Sequence, residues 1–555
     1  NSVSSRRGYE VIGTKGDAGG VKGQFTWRTS RGDFYVGRHV GNKLQIKYTN
    51  SSDVTTWETI YNVTGTNELK EKLSTFETVF DPTLQLDRLV FAAGNVKYFT
   101  WTGATAVITS TTSNTIVTNR NLLEVGFPSS GDVVINGTTY SYTGISSQTF
   151  TGVTADPTGE ADDSLVSIPV ETVTISTIPA NFTADVIGVQ GNQVYVGSLT
   201  SRIVLVSDAE DHTNFTTSTA VGGPREHTLD DTCSGFLSSK KSIVIFGSEN
   251  SVYEVRKTIS ADQTKEFTEI ERLATSPQQG VISPLAKIRV KNALMYITRE
   301  KTLDTVEFVE NISDEQAVPI SDLIKNDFDT FDFTDASINY WERNIIISIP
   351  AENVMYMYDL QRKIWQAPIV WNGATIGMCS VDDNGDLIGH DAFTNSSYVL
   401  FTGTNDNEQA ITSRVVFAYN NYTDRFDIKR ITKYAQDGYI SPNGILTRTL
   451  EFDYRGGKGI VNRDFSGSEL KYVFDISDSG GLGKAPLGSR PLSGSTLLAP
   501  EDLRRFRYAD SVPPKEFYEM RTTYEMKTLD GSWRLVAHGS DTKTTNTNVN
   551  DITRL

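Results

Sequence analysis

Cysteine is nearly absent. Cys233 and Cys379 are the two in 555 residues, which excludes a disulfide framework. They read as two separate buried thiols rather than one bridge. Long apolar runs are missing as well. No stretch approaches the ~20 residues of a membrane-crossing helix, and the run 345–349 is long enough only for a strand. Helical periodicity is scarce, with short candidates at 67–74, 320–327 and 500–507. Basic charge is in the minority, 52 Lys and Arg against 68 Asp and Glu, a net charge of −16. That argues against binding nucleic acid by neutralising phosphates, which needs a basic surface. Motifs of catalysis and metal binding are missing too: no Cys-x-x-Cys, no His-Glu-x-x-His and no phosphate loop. Lys484 follows Gly483, but Ala485 stands where that loop needs Ser or Thr. The start, Asn1-Ser2-Val3-Ser4-Ser5-Arg6-Arg7, has no apolar core, so no secretory signal is expected.

What is present is repetition. Runs rich in Val, Ile, Leu, Tyr and Phe pair across polar or glycine-containing turns at 186–206, 242–255, 288–309, 338–358 and 381–401. About six or seven such hairpin units follow one another at roughly 40–55 residues, the period of propeller blades. The sequence therefore predicts an all-β fold. A β-propeller-like domain spans 1–103 and 180–404 and is interrupted by a small β-module at 104–179. That module begins with an uncharged Thr/Ser/Val/Ile tract and continues through Gly131-Asp132-Val133-Val134-Ile135. Beyond about 405 the spacing stops. Strands at 414–422, 447–454, 469–474, 516–526 and 532–538 predict a C-terminal β-rich platform over 405–555. A flexible loop is expected near 477–499, and a tail over 541–551 that orders only on assembly.

Each candidate site has a plain structural alternative. His39, His212, His227, His390 and His538 lack ligand spacing and read as structural. Asp382, Asp383 and Asp386 with His390 suggest a cation loop, but the alternating oxygen pattern is incomplete. Asp383-Asn384-Gly385-Asp386 reads instead as a type I′ hairpin turn. Asp327, Asp329 and Asp332 are carboxylates of the kind a glycosidase uses, and Trp341, Tyr356 and Trp365 are aromatics that would suit a glycan. A turn-rich connection for the carboxylates and blade core for the aromatics are the preferred readings. Arg31-Gly32-Asp33 matches an adhesion tripeptide and also fits a Gly-Asp turn. Arg504-Arg505-Phe506-Arg507 is the one compact basic cluster nearby. Asn-x-Ser/Thr triplets at Asn50, Asn62, Asn214 and Asn421 are weak signs of secretion.

Segment order carries a resemblance. Arg6-Arg7-Gly8-Tyr9 opens the chain, and Leu86-Asp87-Arg88-Leu89-Val90-Phe91-Ala92-Ala93-Gly94-Asn95 follows. Val204-Leu205-Val206-Ser207-Asp208 leads through an acidic stretch to Asn214-Phe215. Pro277-Gln278-Gln279-Gly280 introduces a blade, and Met355-Tyr356-Met357-Tyr358-Asp359 runs on to Trp365. This order resembles the propeller-bearing nozzle and tail-tube proteins of short-tailed bacteriophages. The resemblance implies a virion structural protein in a ring of six copies around a DNA-ejection channel. Viral DNA would pass without sequence-specific binding, and adjacent tail or adaptor proteins and fibres would dock on the ring. It implies no catalytic residue, cofactor or metal. Two other functions fit a propeller: a carbohydrate-binding or glycan-hydrolysing protein, and a receptor-binding adhesion protein.

Overall fold

A computed structural model describes residues 3–4, 7–13, 19–63, 65–175, 178–218, 220–239, 242–259, 266–273, 279–306 and 319–403. Beyond these it describes 405–406, 409–411, 413–416, 428–440, 445–454, 457–466, 504–517, 519–526 and 533–545. The chain divides into two compact units, Val11–Val399 and Asn1–Glu10 with Leu400–Leu555.

The larger unit is a seven-bladed propeller. Inner strands are Val21–Arg28, Thr75–Asp81, Val186–Gln190, Cys233–Ser238, Lys287–Val290, Ser337–Trp341 and Ile376–Val381, in blades 1 to 7. Each inner strand packs on the next, and Ile376–Val381 returns to Val21–Arg28, so the ring closes. Antiparallel hairpins build each blade outward. In blade 6, Ser337–Trp341, Asn344–Ile349 and Val354–Asp359 pair in register with Ile347 between Ile338 and Tyr356. The run Ile345-Ile346-Ile347 and Ile349 is fully buried. A blade is covered on both faces by its neighbours, so its middle strand needs no polar side.

The last blade is closed by the opposite end of the chain. Tyr9–Val11 forms the outer strand of the sheet containing Ile376–Val381, Leu387–Asp391 and Ser397–Leu400. The Ile12 N–H then donates to the Ser397 carbonyl at 2.8 Å. Pairing a strand near the start of the chain with the distant strand Ser397–Leu400 closes the ring.

The insertion interrupts blade 2. After its third strand, Lys97–Trp101, the chain enters a seven-stranded module running from Thr105–Thr112 to Leu165–Ser167. It returns as Glu171–Thr174, which pairs with Lys97–Trp101 as the outer strand of blade 2. The expected span 104–179 thus takes in one blade strand, because a four-residue strand carries too little pattern to show its allegiance. The module has its own core of Ile108, Ile116, Phe127, Val133, Ile135 and Phe150.

The smaller unit holds two four-stranded sheets. Val3–Ser4, Trp533–Thr545, Ile428–Ile440 and Arg504–Phe517 form one, and Ser413–Val416, Glu519–Met526, Ile445–Tyr454 and Gly457–Ser466 the other. Along Ile445–Tyr454, Leu446, Arg448, Leu450 and Phe452 are buried while Thr447, Thr449 and Glu451 are half-exposed. This period of two belongs to a sheet covered on one face.

Three short-range expectations change. A single turn at Gly65–Asn67 replaces the helix expected over 67–74. Residues 504–507 open the strand Arg504–Phe517, paired with Ile428–Ile440, and are not helical. Residues 541–545 of the expected tail belong to the strand Trp533–Thr545. A lone Arg-Phe-Arg or Thr-Lys-Thr run has no helical hydrophobic stripe, and backbone pairing decides it. The helix expected at 320–327 is present, shifted to Asp322–Ile324 and Lys325–Thr330. The strand expected at 469–474 and the loop 477–499 lie outside the described residues.

Candidate functional site

Two adjoining cavities of about 400 and 220 Å3 lie along the propeller axis and share Gln24, Phe76, Glu77, Ile288 and Asn339. All seven inner strands reach the smaller one, through Gln24, Glu77, Ile187, Leu237, Lys287, Asn339 and Met378. Inner strands converge there, so side chains that would be solvated on an ordinary sheet edge are ringed by protein. Glu77 and Lys287 are half-exposed to the cavity but hemmed in on every side. Burial pushes the Glu77 carboxyl up to about 7, against the pull of Lys287. The same desolvation lowers the Lys287 ammonium to about 8. Lys287 Nζ donates to the Pro284 carbonyl. Gly235 faces it, where a Cβ would come within 2.3 Å of Lys287 Cε. With its amide oriented so that both polar atoms are satisfied, Asn339 bridges blades 6 and 7, donating to the Cys379 carbonyl at 2.6 Å and accepting its N–H at 3.2 Å. One acid, one base and amides among Phe76, Leu237 and Ile288 suit a small polar guest.

The Arg31-Gly32-Asp33 turn grips the insertion. Arg31 Nη1 donates to the Val125 carbonyl at 2.8 Å, at the end of the short helix Leu122–Val125. The carboxylate of Asp33 accepts both terminal nitrogens of Arg120, at 2.9 and 3.4 Å. Gly126 ends the helix with φ +99°, and a Cβ there would lie 2.1 Å from the Arg31 guanidinium. Left-handed backbone and close approach both demand glycine. Tyr35 adds a buried bond, its hydroxyl donating to the Gly103 carbonyl at 2.7 Å. The charged pair of the tripeptide is thus bound internally. Replacing Asp33 by alanine is expected to loosen the module, weakening its docking by on the order of 1 kcal/mol. Hydrogen exchange should quicken over 105–167 and leave blades 3 to 6 unchanged.

The other candidates sit as follows. Cys233 and Cys379 are free and buried, and desolvation pushes each thiol up to about 12, which leaves it unreactive. His39 is buried with Nδ1 3.0 Å from Ser74 Oγ and Nε2 2.7 Å from the Gly41 carbonyl. His390 lies between Ser380 Oγ at 2.9 Å and Ser397 Oγ at 2.8 Å. The hydroxyl of Tyr98 donates to the His212 carbonyl at 2.6 Å. Burial lowers His227 to about 4, and the side chain of His538 lies outside the described residues. Asp382 accepts the N–H groups of Asn384 and Asp386 and pairs with Lys47 at 2.6 Å. It therefore caps its own turn and ties blade 7 to blade 1. Of Asn384 and Gly385 only Gly385 has positive φ, +88°, so the expected type I′ turn is replaced. Asp382 closes a longer loop, with the Gly385 N–H donating to its carbonyl.

Asp327 accepts the hydroxyl of core Tyr356 at 3.0 Å. Asp332 accepts Thr334 N–H and Oγ1 within its own turn. The Asp329 carbonyl accepts from Lys301 Nζ at 3.1 Å. Tyr356 is buried, and Trp365 packs on the same core with Nε1 donating to the Ile320 carbonyl. Trp341 Nε1 donates to the Gly385 carbonyl at 2.9 Å. Asn50 and Asn214 accept nearby N–H groups in turns, and Asn421 and Lys484 lie outside the described residues. Sequence reading passed over Glu77, Lys287, Arg38 and Arg120. No local signal separates Glu77 or Lys287 from their neighbours, since Arg289 shares the strand Lys287–Val290 and Thr75, Thr78 and Asp81 share Thr75–Asp81.

Burial has a pH consequence. Desolvation depresses His39 to about 4 and His390 to about 3, against about 6.5 when unfolded. Folded pKa values below the unfolded one mean full stability above pH 6.5, lost as pH falls toward 4. Each histidine costs roughly 2 kcal/mol by pH 5. Glu77 shifts the opposite way, so the test is differential. The melting temperature of the native chain relative to a His390→Gln variant should fall between pH 7 and 5. A constant difference would refute the assignment.

No protein-family model matches the chain, and no curated protein matches it. Solved structures similar to it include a streptogramin B lyase, at 10% identity and TM-score 0.35, covering 71% of this chain and 98% of that one. Virginiamycin B lyase from Staphylococcus aureus matches at 9% identity and TM-score 0.36, covering 72% and 98%. The WD40 propeller domain of Doa1 matches at 10% and 0.34, covering 70% and 96%. Scores this low carry no argument, and the seven-bladed assignment rests on the chain's own sheet order.

Proposed function

We propose that the chain is a structural component of a bacteriophage tail, a nozzle or tail-tube-end ring. In this reading six copies surround a DNA-ejection conduit and offer a platform for adaptor proteins and fibres. The observation that most supports it is the clamp on the insertion. Two arginines, Arg31 and Arg120, and Asp33 fix the orientation of a module with its own core. A scaffold that holds an extra module rigidly is suited to presenting a surface to a neighbour. The surplus of 68 acidic over 52 basic residues also suits a conduit that must release polyanions. The conduit would lie between copies, since Phe76, Leu237 and Ile288 narrow the propeller's own axis. Among the described residues no helix is long and apolar enough to cross a membrane.

Light scattering together with electron micrographs tests this. The expected result is a closed ring with a mass of several chains. A stable 61.3 kDa species at high concentration would sink the ring. An open filament would show heterologous contacts that fail to close.

A further inference from the structure

A groove of about 740 Å3 opens beside blades 2 and 3, away from the propeller axis. Its walls are the turn after Thr75–Asp81, the outer strand Glu171–Thr174 and the loop 210–213. Four carboxylates line it, those of Asp81, Glu171, Glu210 and Asp211, against one guanidinium, Arg88. Arg88 is already neutralised: Nε donates to Asp81 Oδ2 and Nη1 to Glu171 Oε2, both at 2.8 Å. The remaining field in the groove is therefore negative.

A second observation is independent of that charge. Thr100 lines the groove and is 1% exposed, yet its Oγ1 has no hydrogen-bond partner. It stands directly across from Glu171 and beside Val90, on the face of blade 2 that also carries Arg88. A buried hydroxyl is ordinarily bonded, and an orphan marks a place where a donor or acceptor is missing. A threonine hydroxyl can accept from an N–H while its neighbours supply negative charge.

We infer that this groove binds an organic cation, an ammonium or guanidinium group whose N–H reaches Thr100 Oγ1 and whose charge is met by Glu171, Glu210 and Asp211. Phosphate and carboxylate ligands are repelled by the same field. The inference stands apart from the tail reading and does not depend on oligomeric state. Such a cation can arrive on a free polyamine or on a basic side chain of another polypeptide.

Calorimetric titration of the full chain at low salt tests it, with spermidine as the free polyamine and N-acetyl-arginine amide as the side chain. Saturable binding of either supports the site, and which of them binds identifies the source. Thr100→Val removes only the orphan hydroxyl and keeps the shape, so it should fold as well as the native chain. It is expected to weaken binding about tenfold or more, the effect of one hydrogen bond to a charged group. Glu171→Gln should weaken it too, and citrate should not bind. Failure of both probes to bind overturns the inference. So does unchanged affinity in Thr100→Val, since binding would then be diffuse attraction to an acidic surface.

Discussion

Replacing Trp101 by alanine is expected to produce the largest loss of stability of any single change in the propeller. Trp101 is 0% exposed. Its ring lies 5.6 Å from that of Trp27 and 5.0 Å from that of Tyr35, both on blade 1. Its Nε1 donates to the Ile168 carbonyl at 3.1 Å, where the chain leaves the insertion. One side chain therefore joins blade 1, blade 2 and the root of the module. Truncating a buried tryptophan costs about 3–5 kcal/mol, and the spread depends on how far the site collapses. Here collapse is resisted by three elements that cannot all move toward one void. Trp101→Phe should cost clearly less, since it keeps an aromatic ring against Trp27 and Tyr35 while losing the N–H bond and part of the indole's volume. Urea denaturation followed by circular dichroism checks the order. A Trp101→Ala midpoint equal to that of Trp101→Phe would show that the site relaxes freely.

Arg38 gives the second large effect, with an unusual order among substitutions. It is 5% exposed, and its partners are an amide, a hydroxyl and an aromatic face. Nε donates to Gln45 Oε1 at 3.0 Å and Nη1 to Ser397 Oγ at 2.7 Å, while the guanidinium lies 4.2 Å from the Trp57 ring centre. Ser397 also holds His390, so this network spans the seam between blades 1 and 7. Removing the side chain to alanine takes away packing, the cation–π contact and two bonds, and is expected to cost about 2–5 kcal/mol. Burying a charge without a counter-charge is itself expensive. Arg38→Met, close in volume and uncharged, should therefore lose far less than Arg38→Ala. Arg38→Lys should fare worse than Met, because an ammonium cannot reproduce the fork on Gln45 and Ser397. Equal losses for Met and Ala would mean that the polar seam, rather than packing, holds the ring shut.

How far the sequence was legible varies with the kind of interaction. The hairpin of Asn344–Ile349 and Val354–Asp359 is visible because a sheet covered on both faces leaves an unbroken apolar run. Ile428–Ile440 passed unnoticed as a strand, because Lys429, Arg430, Lys433, Gln436 and Asp437 blur its period. It is nonetheless paired along both edges, to Arg504–Phe517 and Trp533–Thr545. Backbone hydrogen bonds from two partners form whatever the side chains are, and they carry no local pattern.

The turns at Arg31-Gly32-Asp33 and 382–386 are legible, but what their charges hold is not, for a related reason. Arg31 and Asp33 look like an exposed tripeptide until Val125 and Arg120 are placed beside them. Asp33 and Arg120 lie 87 positions apart, and no local spacing reports such a pair. Asp382 reads as a ligand candidate until Lys47 and its own turn occupy its oxygens.

By itself the sequence determined the all-β class, the blade period and the interruption of that period over about 104–179. These follow from side-chain alternation and turn chemistry, which act over a few residues. Tertiary structure alone decided that the ring has seven blades, that Tyr9–Val11 closes the last, and that Glu171–Thr174 belongs to the second. It also decided which charges are spent. Burial moves Glu77 and Lys287 toward each other in pKa, and it leaves Thr100 without a partner beside four carboxylates. Desolvation and pairing depend on neighbours brought from distant parts of the chain, which only the closed ring supplies.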